Sequence, residues 1–337
     1  MFGRTRGKTT FEIRKDAVEP PAADADGRSR RWVWPVVALG AAGAAVAAGA
    51  VIARRRVPAG EVHPVLQGGP LLIAHRGGLA LAPENTLPAF EQAISDWAAD
   101  MIELDVHATA DGRCVVIHDD TVDRTTDGTG AVADMTLAQL REFDAGYRFT
   151  RDGGLTHPFR GRGIRIPTIE EVLETTTGVR LTIELKSAAA QAPLFDALRR
   201  MGAMDRVVVA GQHDAYRTMI HEFPGPVSAS MEQFRRFVIM YRLRLAAFYR
   251  PPFAVAQVPD SWQGKDYLEP GMIAALRAHG VPVHVWTVNE TQRMSKFLAD
   301  GADGIITDRP DRLAALLTRK YGRPPAPAAV RGAGPAD

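Results

Sequence analysis

A chain of 337 residues has room for one large α/β barrel or two smaller domains, and an apolar content of 46% excludes global disorder. The formal net charge of +2 removes the electrostatic reason to expect nucleic acid as a partner. Cys114 is the only cysteine, so an intramolecular disulfide and a cysteine metal cluster are excluded, and a small buried hydrophobe is its expected role.

Residues 1–31 are charged and poor in bulky apolar groups, which predicts a disordered tail. Trp32 to Ala53 then run 22 residues without a charge, long enough for a bilayer core, between Arg28, Arg30 and Arg31 and the triplet Arg54-Arg55-Arg56. Twelve of the 22 are Ala or Gly, so the drive to insert is weaker than in a Leu-rich segment. Two readings stand: a single-pass membrane anchor, or a cleaved export signal. For the second, Ser29-Arg30-Arg31-Trp32 resembles a twin-arginine motif and Ala48-Gly49-Ala50 offers a cleavage site. Basic clusters at both ends disfavour a buried soluble helix. Eight Lys/Arg precede the segment and three follow it at once, which predicts an inside N-terminus. The rest of the chain is then expected outside the cytoplasmic membrane, or secreted if the segment is cleaved. Residues 54–70 read as a linker, and 321–337, rich in Pro, Ala and Gly, as a second disordered tail.

Between these ends, short β-like runs alternate with helical windows. Strands are predicted at 71–75, 101–107, 114–118, 181–185, 206–210, 227–230, 254–258, 283–287 and 304–307. Helices are predicted at 87–98, 192–201, 270–279, 290–300 and 310–320. Such alternation implies a parallel sheet. The gap between the second and third runs is too short for a crossover helix, so 114–118 must return antiparallel as a hairpin arm. Eight parallel strands remain, and residues 71–320 fit a TIM (β/α)8 barrel with an N-terminal hydrophobic helix ahead of it. Residues 119–168 break the alternation with turn-rich stretches at 127–130, 152–154 and 160–163, and read as an insertion capping the barrel mouth.

The hairpin concentrates the chemistry. With Asp111-Gly112 as a two-residue turn, residues whose numbers sum to 223 face each other, so Asp105 is expected opposite His118, Cβ atoms about 4.5–5.5 Å apart. Alternation puts Glu103 on the same face. Polar groups also gather at other strand ends: His75-Arg76, Glu184 and Lys186, Asn289, and Thr307-Asp308. Active sites of these barrels lie at that end. Glu103, Asp105 and Glu184 offer oxygen donors suited to a divalent metal, Mg2+ or Ca2+; the alternative is an ion pair of Lys186 with Glu103 or Asp105 and no metal. His75 and His118 are candidates for general acid and base. Arg76 and Lys186 supply the positive charge a phosphoryl group needs.

Several motifs then align with one family. Ile73-Ala74-His75-Arg76-Gly77-Gly78, Pro83-Glu84-Asn85-Thr86, Ile102-Glu103-Leu104-Asp105-Val106, Thr109-x-Asp111-Gly112, Val116-Ile117-His118-Asp119 and Arg124-Thr125-Thr126 follow in order. Ile166-Pro167-Thr168, Ile183-Glu184-Leu185-Lys186, Trp286-Thr287-Val288-Asn289 and Asp303-Gly304-Ile305-Ile306-Thr307-Asp308 complete the series. Together they resemble the glycerophosphodiester phosphodiesterase family over about residues 71–318. The resemblance implies a TIM barrel with an inserted cap, a divalent metal on Glu103, Asp105 and Glu184, catalytic His75 and His118, and Arg76 and Lys186 near the phosphate. It also implies cleavage of a glycerophosphodiester to glycerol 3-phosphate and an alcohol, the substrate's own 2-hydroxyl attacking phosphorus to give a cyclic intermediate that water opens. A lysophospholipase D acting on membrane lysophospholipids, and a non-catalytic phosphodiester-binding barrel, are the alternatives. The stretch from Phe234 to Arg250 is aromatic, apolar and basic at once: an outer barrel helix with snorkelling Arg side chains, or a surface helix on an anionic membrane, which would favour lysophospholipids.

Overall fold

The computed structural model describes residues 60–262, 264 and 266–332. The expected tail 1–31 and the apolar segment 32–53 lie outside the described residues, as does the start of the expected linker. Among the described residues, no helix is long and apolar enough to cross a membrane.

One sheet holds β1 (Leu71–His75), β2 (Met101–Ala108), β3 (Cys114–Val116), β4 (Arg180–Leu185), β5 (Val207–Ala210), β6 (Ala256–Pro259), β7 (Val283–Trp286) and β8 (Gly304–Thr307). Seven strands run in the order β5-β4-β2-β1-β8-β7-β6 with parallel pairing, and β3 pairs antiparallel with β2. The sheet is curled, and residues 227–228 bridge its two ends. Val227 pairs with Val209 and Ser228 with Val255, both parallel. The predicted strand 227–230 is thus reduced to two residues. Pro224 and Pro226 ahead of it cannot donate to a ladder, and Ser230 already caps the next helix.

The helices are α1 (Leu87–Ser95), α2 (Leu137–Leu140), α3 (Ile169–Thr175), α4 (Gln191–Arg200), α5 (Met231–Arg242), α6 (Pro270–Arg277), α7 (Thr291–Ala299), α8 (Pro310–Tyr321) and α9 (Pro327–Gly332). Their starts follow local chemistry. Thr168 with Glu171 and Ser230 with Gln233 form capping boxes, and proline begins α6 and α8. Phe234 and Phe237 of α5 are buried, while Arg235, Arg236, Ile239, Arg242 and Leu243 face solvent. The start of this stretch is therefore a helix with one buried face and a basic, partly apolar face open to solvent, an arrangement that both expectations share.

Three expectations need correction. The hairpin register is Val106–Val116, His107–Val115 and Ala108–Cys114, numbers summing to 222, so Asp105 does not face His118. The turn has three residues: Thr109 N–H donates to Arg113 O (2.9 Å), and Gly112 takes the left-handed position (φ 74°) that closes a type I turn with a bulge. The linker end is also structured. Val65 and Leu66 are apolar enough to be buried, and they pack with Leu71, Ile73, Met101, Val208, Val255 and Ile306. Finally, the expected tail is ordered as far as residue 332. Arg323 pairs with Asp100 (2.6 Å), Ala326 is buried and α9 follows. The insertion 119–168 has its own small core of Val122, Val132, Leu140, Ala145 and Ile166, built against Val115 and Ile117 of the hairpin.

Candidate active site

Parallel pairing brings the predicted carboxylates together. His75 is in register with Glu103 across β1–β2, and Asp105 with Glu184 across β2–β4. Oxygens of Glu103, Asp105 and Glu184 all lie within 4.8 Å of one another. Glu103 and Asp105 are buried, at 7% and 1% exposure. Such crowding of like charge is unstable without a compensating cation. Burial and the neighbouring Asp105 charge push the Glu103 carboxyl up to about 7. Burial works the same way on Asp105, but Lys186 and Arg76 outweigh it and hold that carboxyl at about 2. Lys186 Nζ lies 3.0 Å from both Asp105 and Glu184, so the predicted ion pair forms with Asp105 and not with Glu103.

The donor set fits a divalent cation. It is all oxygen and it converges, which suits a hard ion such as Mg2+ or Ca2+ over zinc.

Both predicted histidines line one cleft of about 160 Å3, with Arg76, Glu103, Glu184 and Lys186. His75 ends β1. Its Nδ1 hydrogen-bonds to Asp308 Oδ1 (2.5 Å) and its Nε2 lies 3.8 Å from Glu103. Burial disfavours its charged form, yet Glu103 and the Asp308 hydrogen bond prevail and raise its pKa above the usual histidine value. His118 arrives differently. Ile117 N–H donates to Asp105 O (3.0 Å), the strand ends, and the chain bends to bring His118 to the cleft. Its Nδ1 hydrogen-bonds to Asp119 (2.7 Å).

Arg76 lies in a left-handed conformation (φ 51°), a strained position for a side-chain-bearing residue. Its N–H donates to Glu103 (3.0 Å), its Nη1 to Glu84 (2.8 Å), and its Nε approaches Asp105 at 3.2 Å. The following Gly77 (φ 85°) has no room for a side chain, since a Cβ there would lie 2.8 Å from that of Ala89. This close approach lets the turn seat Arg76 over the carboxylates.

Sequence reasoning did not assign roles to the side chains that hold these groups. Asp308 is fixed by Asn289, whose Nδ2 donates to Oδ2 (2.6 Å). Asn85 donates to Asp105 (2.9 Å). Arg124 forks onto two carboxylates at once, Glu84 (2.6 and 2.8 Å) and Asp119 (2.6 and 3.2 Å). It thereby joins the partner of Arg76 to the partner of His118. The signal was present: Glu84, Asn85, Asp119, Arg124, Asn289 and Asp308 all sit inside the motifs quoted above.

Residues 75–312 match the model of the glycerophosphoryl diester phosphodiesterase family. A glycerophosphodiester phosphodiesterase of Caldanaerobacter subterraneus is 34% identical over 261 residues, covering 75% of this chain and 99% of the relative. The glycerophosphoryl diester phosphodiesterase domain of a Mycobacterium tuberculosis protein shares the fold, with a TM-score of 0.66 at 24% identity, over 75% of this chain and all of that one. An Oleispira antarctica phosphodiesterase, solved with its product sn-glycerol-3-phosphate, superposes with a TM-score of 0.58 at 24% identity, over 74% of this chain and 96% of that one. On its sequence match and its curled parallel sheet, this chain belongs to the glycerophosphoryl diester phosphodiesterase family of hydrolases.

Proposed function

We propose that the chain is a (β/α)8 barrel, residues 227–228 standing in for the eighth strand, that hydrolyses glycerophosphodiesters to glycerol 3-phosphate and an alcohol. One observation carries the reading: two imidazoles, each anchored through Nδ1 by a carboxylate, line a single cleft beside a trio of acidic side chains. The relative that is 34% identical supports the substrate class.

In this reading Arg76 and Lys186 hold the phosphoryl oxygens. One histidine takes the proton of the substrate's 2-hydroxyl as that oxygen bonds to phosphorus. The other gives a proton to the departing alcohol as its P–O bond breaks. Water then opens the cyclic phosphate with the two roles reversed. Asp308 and Asp119 orient the two rings through Nδ1, and Asp308 also favours the protonated form of His75. Glu103, Asp105 and Glu184 would hold the divalent cation, which supplies electrostatic stabilisation of charge developing on the phosphoryl group.

Purified full-length protein with Mg2+ or Ca2+ is expected to release glycerol 3-phosphate from glycerophosphocholine. Binding of that diester without any release would instead favour a phosphodiester-binding barrel.

A further inference from the structure

Inside the curled sheet the packing is mostly apolar, with Leu71, Ile73, Met101, Val208, Val255 and Ile306 in one cluster. Three polar side chains interrupt it. Thr182 of β4 lies beside Glu103 in register, and Gln257 of β6 beside His284 of β7. Thr182 Oγ1 donates to Gln257 Oε1 (3.1 Å), and Gln257 Nε2 meets His284 Nδ1 at 3.4 Å. Strands β4 and β6 are far apart in the sheet order, so the first of these bonds crosses the inside of the sheet. Thr182 and His284 are fully buried. Burial pushes the imidazole pKa down to about 3, which keeps the ring neutral, and its buried Nε2 finds no hydrogen-bond partner among the described residues. Room for the ring comes from Gly304, its neighbour in register, where a Cβ would lie 3.0 Å from His284 Cδ2.

Polar groups in such a layer cost stability, and proteins keep them where function uses them. Thr182 and Gln257 also line the catalytic cleft. A side-chain amide offers two hydrogens and two oxygen lone pairs. Thr182 occupies one lone pair and His284 one hydrogen, which fixes the amide and leaves one donor and one acceptor for the cleft. A hydroxyl group matches that pair, because it accepts and donates at once. We propose that Gln257 binds the terminal, carbon-1 hydroxyl of the substrate's glycerol, and that Thr182 and His284 are positioning residues that hold its amide. The inference rests on the phosphodiesterase reading and deepens it. The 2-hydroxyl is committed to phosphorus, so the 1-hydroxyl is the one left on the glycerol for recognition. The site then selects diesters whose glycerol is free at carbon 1.

The test compares glycerophosphocholine with its 1-deoxy analogue, the phosphocholine diester of propane-1,2-diol with the same configuration at carbon 2, using the full-length protein with Mg2+ or Ca2+. The analogue keeps the nucleophile, the phosphate and the leaving alcohol. It leaves the amide of Gln257 without its hydroxyl partner, which is expected to lower kcat/KM by about 10- to 100-fold. Gln257→Met should lower kcat/KM for glycerophosphocholine and spare the analogue, bringing the two within about threefold of each other. His284→Leu frees the amide to rotate and should shrink the ratio of the two diesters about fivefold. His284→Asn, whose side-chain oxygen accepts where Nδ1 does, should restore most of that ratio. Equal turnover of both diesters by the unaltered protein would overturn the subsite and leave the phosphodiesterase standing. Undiminished discrimination in Gln257→Met would overturn the assignment to Gln257, and a ratio insensitive to His284→Leu would overturn the positioning role. Failure of the unaltered protein on both diesters would overturn the phosphodiesterase reading and the subsite together.

Discussion

The two sides of the cleft hold their histidines by different means. His75 ends a strand of regular parallel sheet, backed by Asp308 and Asn289 at the end of the last strand and at the turn after β7. His118 stands beyond the last paired residue of a three-residue strand, where the chain enters an insertion with its own core. Ladder hydrogen bonds and a buried core position the first. The second depends on Asp119 and on Arg124, which is half exposed and ties Asp119 to Glu84. The lesson is that one wall is set by the fold, whereas the other is set by an ion-pair clasp between the insertion and the turn after β1.

The comparison can be broken at its common base first. Chelation of divalent metal is expected to abolish turnover, restored by Mg2+ or Ca2+; full activity in excess chelator would remove the acidic trio from the chemistry. Next, His75→Ala and His118→Ala should each lower kcat/KM by about 10^3-fold, within the usual range for a general acid or base, with folding checked by circular dichroism. The supporting residues should separate the two walls. Asp308→Asn is expected to cost about 10- to 100-fold at unchanged melting temperature, read from kcat and thermal melts. Arg124→Ala should cost about tenfold, and Arg124→Lys should recover little of it, because a point charge cannot fork onto Glu84 and Asp119 together. Smallest of all, Arg323→Ala removes a partly exposed ion pair remote from the cleft. It should shift stability by under about 1 kcal/mol and leave kcat/KM alone.

Most of the barrel was readable because its signals are local. Apolar runs such as Leu71 to Ala74 and Gly304 to Ile306 end in polar residues at one end of the sheet, so β1 and β8 match their predicted bounds, and His75, Glu103 and Glu184 fall where strand ends place them. The hairpin register was misread because Asp111-Gly112 supports either a two-residue turn or the end of a three-residue one. The Thr109–Arg113 hydrogen bond distinguishes them, as does Asp111, which stays out of the left-handed region that a two-residue type I′ turn requires of both its residues. A shift of one residue reverses which side chains oppose each other, yet His118 still reaches the cleft because it lies past the ladder. Val65, Leu66 and Arg323 were taken for linker and tail because their partners, such as Asp100 and Val208, are distant in sequence. Asp308 likewise meets His75 across 233 positions, a contact that the parallel pairing of β1 with β8 creates.

The central claim is that two carboxylate-backed imidazoles perform opposite proton transfers. It is tested most directly by assaying His75→Ala and His118→Ala on glycerophosphocholine and on the p-nitrophenyl ester of glycerol 3-phosphate. A nitrophenolate leaves without a proton, so the variant lacking the acid should regain at least about tenfold on that ester, while the variant lacking the base should not. Equal losses for both variants on both substrates would contradict the division of labour between the two walls.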